Sequence, residues 1–222
     1  MKHVRPLLFA TGLTLAALQP AHGCDTALVL TIDVSGSIDR GEYRLQVQGL
    51  ADALGDPEIA DALVLGQVAL TVVQWSGTGQ QAAVLPWRRM LSYDEVRSFA
   101  DRARGLKRAY SGSDTAVGEA IGFSAAQFDA VSDCRRRVID ISGDGPQNAG
   151  ASLSAGRRAA AEAGANINAV AIEDVGRGSP ITEYYRRFIV TRQGFVMTAR
   201  GLEDYPRAIR AKILREVAKP LG

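Results

Sequence analysis

Ala27-Leu28-Val29-Leu30-Thr31-Ile32 runs without a break into Asp33-Val34-Ser35-Gly36-Ser37. The first six residues are apolar or β-branched, the pattern of a strand buried on both faces. The next five deliver one carboxylate and two hydroxyls to a tight turn at the strand's end. Oxygen groups are what a hard cation such as Mg²⁺ prefers as ligands. Asp33, Ser35 and Ser37 recur at every second residue and wrap around one point. The stretch therefore predicts a buried strand and a divalent-cation site at its carboxyl end, with Mn²⁺ or Ca²⁺ as alternatives because such donor sets admit several cations.

Upstream, Lys2, His3 and Arg5 make a positive start, residues 7–18 are apolar, and Gln19-Pro20-Ala21-His22-Gly23 combines a breaker with a small-x-small cleavage pattern. Residues 1–23 read as a secretory signal peptide, with an apolar stretch too short to span a bilayer. The expected mature chain is 24–222, a single domain in the periplasm or outside the cell, with no stable membrane insertion after cleavage. The signal carries two of the 26 basic residues, so 24 remain against 24 acidic ones. A balanced chain argues against a nucleic-acid partner. Both histidines, His3 and His22, fall in the signal. That removes Ser-His-Asp and Cys-His catalysis and histidine-ligated zinc from consideration. There is no Gly-x-x-x-x-Gly-Lys run, hence no phosphate-cradling loop of that kind. Lysines beyond the signal are Lys107, Lys212 and Lys219.

Cys24 and Cys134 are the only cysteines. Cys24 stands nine residues before Asp33 and Cys134 ten before Asp144, each pair bracketing a strand-like run (27–32 and 138–142). If the two strands are parallel neighbours, the cysteines meet at one end and the aspartates at the other, giving a disulfide and a shared site from one register. The alternative is lipidation of Cys24, although Ala21 stands where lipoprotein signals usually place an aliphatic residue.

Apolar runs alternate with helical periodicity along the rest of the chain. Strands are expected at 27–32, 68–75, 81–85, 138–142, 168–172 and 195–198, the third pairing antiparallel with the second through Ser76-Gly77-Thr78-Gly79. Helices are expected at 39–54, ended by Gly55-Asp56-Pro57, at 92–103 with a Ser92–Glu95 capping box, and at 115–128, 152–163, 181–188 and 202–217. Such alternation specifies an α/β fold: a doubly wound, mostly parallel six-stranded sheet with one short antiparallel edge strand and helices on both faces. Ligands of such sheets bind at the carboxyl ends of the strands, where strand order reverses. Asp33 and Asp144 both fall at such ends.

With these residues in place the mature chain resembles a von Willebrand factor type A domain over its whole length. That family's metal-ion-dependent adhesion site has three parts, and each has a counterpart here. Asp33-Val34-Ser35-Gly36-Ser37 resembles the Asp-x-Ser-x-Ser element. Ser113-Asp114-Thr115-Ala116-Val117-Gly118 resembles the loop that brings a threonine to a helix start. Ile141-Ser142-Gly143-Asp144-Gly145 resembles the aspartate element, with Gly143 where the family usually has threonine. The resemblance implies a metal held by Asp33, Ser35, Ser37, Thr115 and Asp144. The hydroxyls would bind it directly and the aspartates largely through water, leaving one position for a partner's carboxylate. The exported two-cysteine form also resembles an uncharacterised group of secreted bacterial proteins in this superfamily.

The function this implies is an exported, non-enzymatic, metal-dependent module that docks an Asp or Glu of a protein partner. Two other readings stay open. One is a Mg²⁺-dependent phosphate-ester hydrolase with Asp33 as nucleophile, although Ser35 stands where haloacid-dehalogenase-like enzymes carry a second aspartate. The other is a structural envelope protein stabilised by its metal. Glu173 and Asp174 should follow a strand onto the metal face as solvated acids or as tuners of partner charge. Arg135-Arg136-Arg137 should form a solvated edge at the far end. Trp75 belongs either to the metal rim or to the core, and one of Tyr184 and Tyr185 should face inward.

Overall fold

Strand β1 (Cys24–Asp33) lies at the centre of a six-stranded sheet ordered β3-β2-β1-β4-β5-β6. The computed structural model describes residues 23–112, 114–173 and 180–218, so residues 1–22 of the expected signal peptide, Ser113, Asp174 and Lys219 lie outside the described residues. The flanking strands are β2 (Ala69–Trp75), β3 (Gln81–Arg89), β4 (Cys134–Gly143), β5 (Ala165–Glu173) and β6 (Val196–Arg200). All neighbours pair in parallel except β2 with β3. The antiparallel edge strand is longer than expected, because pairing continues past Pro86 through a register irregularity beside Val72.

The alternating side chains of β1 serve two cores. Leu28, Leu30 and Ile32 pack with α1 (Arg40–Leu54), α2 (Pro57–Leu65), α3 (Tyr93–Arg104) and α7 (Tyr205–Val217). Ala27 and Val29 face α4 (Val117–Ala126) and the aromatic rings of Trp75, Phe128 and Tyr185. Leu28 and Leu30 are buried, and removing each such side chain from water contributes about 1.5–3 kcal/mol. The second face is completed by α5 (Leu153–Glu162) and the short α6 (Ile181–Tyr184).

Several boundaries follow from capping chemistry. Asp39 caps α1 in a reciprocal box with Glu42 (2.8 and 2.7 Å). Ser92 accepts from the Glu95 amide, but the Glu95 carboxylate does not return a bond, so the expected box is half formed. Asp56-Pro57, read in the sequence as a breaker, instead begins α2. Asp56 accepts from the Glu58 and Ile59 amides, and Pro57 fills a first-turn position where a missing N–H costs nothing.

Strands β1 and β4 meet in the expected register. Cys24 is opposite Cys134 and the two form a disulfide, while Ile32 is opposite Ser142. Asp33 and Asp144 therefore leave adjacent strands at the opposite end, where chain order reverses. The arginine triplet lies in the first residues of β4: Arg135 is exposed, as expected, and pairs with Asp25 at 3.1 Å, whereas Arg136 and Arg137 are half-buried. Arg136 donates to the Thr26 hydroxyl and the Glu216 carbonyl, and Arg137 to the Ala163 carbonyl. The face toward α7 also buries an ion cluster. Lys212 Nζ stands 2.6 Å from Asp140 Oδ1 and 2.5 Å from Glu216 Oε1, with all three side chains sealed from solvent.

Candidate metal centre

Asp33 is the last residue of β1, fully buried, and its Oδ1 accepts from the Ser35 amide at 2.7 Å. This closes a turn that returns Ser35 and Ser37 to the strand end. The Ser35 and Ser37 hydroxyls lie 3.2 Å apart, and Ser37 Oγ donates to Asp144 Oδ1 at 2.8 Å. Four of the five residues singled out in the sequence thus form one chain of contacts. It joins two loops that are 107 residues apart along the backbone.

Thr115 is buried but makes no side-chain hydrogen bond to the other four among the described residues. It is tied instead to the loop that follows Asp144. Its amide donates to Asn148 Oδ1 at 2.8 Å, and its carbonyl accepts from the Asn148 amide at 3.0 Å. Helix α4 begins two residues later, at Val117, with no side-chain cap. Gln147 and Asn148, which the sequence did not flag, are what fasten this element to the β4 loop: Gln147 Oε1 accepts from the Gly118 amide at 2.7 Å.

The far side of Asp33 is equally defined. Among the described residues its Oδ2 is buried without a hydrogen-bond partner, as is Tyr185 Oη. Both flank Gly143, where a Cβ would overlap Tyr185 Oη and fall 3.0 Å from Asp33 Oδ2 and 3.4 Å from Trp75 Cζ2. A threonine would not fit here, which accounts for the glycine. Tyr185 is the tyrosine that faces inward, whereas Tyr184 is half-buried and its Oη accepts from the Gln147 amide at 3.2 Å. Trp75 is both core and rim: its ring is sealed, its Nε1 donates to Thr31 Oγ1 at 3.2 Å, and its edge reaches Gly143.

Burial, reinforced by the Asp144 charge and opposed by the Ser35 bonds and Arg108, raises the Asp33 carboxyl to about 7. Burial likewise holds the Tyr185 hydroxyl well above its ordinary value, with Asp33 adding to the effect. The site is therefore short of positive charge. No three His, Cys, Asp or Glu side chains converge among the described residues, so an all-acid or histidine metal cage is not formed here. Two aspartates and neighbouring hydroxyls are nevertheless a donor set that fits a hard divalent cation, and the unpartnered Asp33 oxygen and the charge deficit point the same way. A small cavity of about 70 Å³ opens beside Ser37 and Asp144. Glu173 also lines it, but both its carboxylate oxygens are engaged by the Ile181 and Thr182 amides at 3.0 and 2.7 Å. Its carboxylate holds the start of α6, and those bonds keep it below the usual glutamate range although partial burial opposes them.

A family profile described as "Protein of unknown function (DUF1194)" matches residues 23–221. No curated protein matches the chain. Among solved structures, proximal thread matrix protein 1 from the mussel byssus is similar at 16% identity and a TM-score of 0.64, over 86% of this chain and 48% of that one. A von Willebrand factor type A protein from Catenulispora acidiphila is similar at 17% identity and 0.62, over 89% and 44%. The von Willebrand factor domain of the type V pili tip protein Mfa5 from Porphyromonas gingivalis is similar at 8% identity and 0.61, over 90% and 98%. The chain thus spans about half the length of the first two. At these identities the likeness establishes the fold, which is that of a von Willebrand factor type A domain.

Proposed function

This chain belongs to the DUF1194 family, and from its von Willebrand factor type A fold we propose an exported protein-binding module that docks an acidic group of a partner through a divalent cation. The observation that carries the reading is the contact chain from Asp33 through Ser35 and Ser37 to Asp144, ending on a buried, unpartnered Asp33 oxygen. Ser35, Ser37 and Thr115 would offer neutral hydroxyls, and Asp33 and Asp144 the negative charge. When bound, Mg²⁺, or Mn²⁺ or Ca²⁺ in its place, supplies the positive charge that an incoming Asp or Glu completes. Hydroxyl-rich ligation leaves the cation with much of its charge, so the partner's carboxylate gains a strong, oriented contact. The contact is recognition without turnover.

Three further supports bear on the setting. One mussel byssus neighbour was solved with zinc in its metal-ion-dependent adhesion motif. The Cys24–Cys134 disulfide suits an oxidising compartment and, by engaging the Cys24 sulfur, argues against lipidation of that residue. No helix among the described residues is long and apolar enough to cross a membrane.

The test is calorimetric titration of Mg²⁺ and Mn²⁺ into the exported protein, alongside Asp33→Ala and Ser35→Ala. The substitutions should weaken binding by ~10-fold or more, which is ~1.4 kcal/mol or more, while the disulfide-bonded fold persists by circular dichroism. Capture on an immobilised Glu-containing peptide should require Mg²⁺ and be lost in EDTA. Unchanged cation affinity in both variants would overturn the proposed ligand set.

A further inference from the structure

Helix α1 carries Arg40, Tyr43, Arg44 and Val47 at helical spacing, and the segment leaving α3 brings Arg104, Leu106, Lys107 and Arg108 against them around a cavity of about 460 Å³. Five of these residues are cations. Among the described residues only Arg104 has a carboxylate partner, Asp52 at 2.8 Å. Arg40, Arg44 and Lys107 are exposed and form no ion pair among the described residues. Arg108 turns inward: it donates to the Val34, Ser35 and Ile38 carbonyls at 2.7 Å each, and its Nε is buried without a partner. The chain beyond the expected signal has as many acids as bases, so this surplus is local.

We propose that this cleft binds a small organic polyanion, one bearing two or more phosphate or carboxylate groups on a carbon frame. Like charges held together repel one another, and an anion seated among them relieves that repulsion while gaining bidentate guanidinium contacts. The cavity's size suits a small molecule rather than a duplex. Its inner wall is apolar, with Tyr43 and Val47 buried and Leu106 half-buried, so a ligand with carbon between its anionic groups fits better than an inorganic ion. The cleft is separate from the candidate metal centre but adjoins it, because the carbonyls that Arg108 holds belong to the turn that presents Ser35 and Ser37. The proposal stands whether or not that centre binds a cation.

The experiment titrates citrate and fructose 1,6-bisphosphate by calorimetry into the disulfide-bonded protein, stripped of cations on a chelating resin, at low salt. Saturable one-to-one binding of either probe is expected, and whichever binds tighter identifies carboxylate or phosphate as the preferred group. Arg40→Gln with Arg44→Gln should weaken it by ~10-fold or more, since each tenfold is one modest ionic contact. Arg187→Gln, an exposed arginine stacked on Phe188, should leave it unchanged. Thermal melting of each variant checks that the fold is retained. Absence of saturable binding by both probes, or equal weakening by Arg187→Gln, would overturn the proposal. Tighter binding to duplex DNA than to either probe would also overturn it, in favour of a nucleic-acid surface.

Discussion

Gly143→Ala tests how tightly the floor of the candidate centre is built. A Cβ at this position would overlap Tyr185 Oη and stand 3.0 Å from Asp33 Oδ2 and 3.4 Å from Trp75 Cζ2. All three neighbours are fully buried, so none can swing aside into solvent. Overpacking of this kind costs about 1–3 kcal/mol. Replacing a strand glycine by alanine returns about 0.5–1 kcal/mol of backbone entropy, leaving a net loss of about 0–2.5 kcal/mol. Tyr185→Phe removes the overlapping atom, and because that hydroxyl is buried without a partner its loss should be near neutral or stabilising. In the Tyr185→Phe background the alanine should then cost about 1 kcal/mol less than in the parent. The assay is urea unfolding of the four proteins of this cycle, oxidised and in EDTA, with the transition slope checked for constancy. Additivity of the two changes within about 0.3–0.5 kcal/mol would refute the argument that Tyr185 is what excludes a side chain at 143.

Two further outcomes follow from the same structure. Removing the disulfide with Cys24→Ser and Cys134→Ser releases a loop spanning 110 residues. Chain entropy puts the loss at about 4–5 kcal/mol, readable as a large drop in the urea midpoint, and an unchanged midpoint would contradict it. Lys212→Met leaves Asp140 and Glu216 buried with no cation between them, and burial already raises Asp140 to about 7. The expected loss is about 3–5 kcal/mol, most of which Asp140→Asn with Glu216→Gln should restore, and a fully stable single variant would contradict the reading that Lys212 neutralises buried carboxylate charge.

Much of the architecture was legible because its signals are local or periodic. The apolar run before Asp33 marked β1, and the nearly equal spacing of each cysteine from its aspartate showed what a parallel β1–β4 pair would bring together, though the pairing itself had to come from the structure. Asp56-Pro57 misled because the same dipeptide that stops one helix also caps and opens another. Lys212 reads as a polar interruption of an amphipathic helix, and only the packing of α7 on β4 reveals that Asp140 and Glu216 await it. The Gly143–Tyr185 contact joins residues 42 positions apart, and the basic cleft is assembled from two segments on either side of two strands. Neither leaves a periodic trace. Thr115 was found by its motif, but Gln147 and Asn148, which fasten its loop, belong to no pattern that spacing could expose.

The pairing of Cys24 with Cys134 at the foot of β1 and β4 has a mechanical consequence. Two strands riveted at one end cannot creep past each other, so the two aspartates at their tips share a fixed separation set by the rivet and the ladder between. Whatever yields when a visitor arrives must then be the turns and the flanking helices. The central rails stay put.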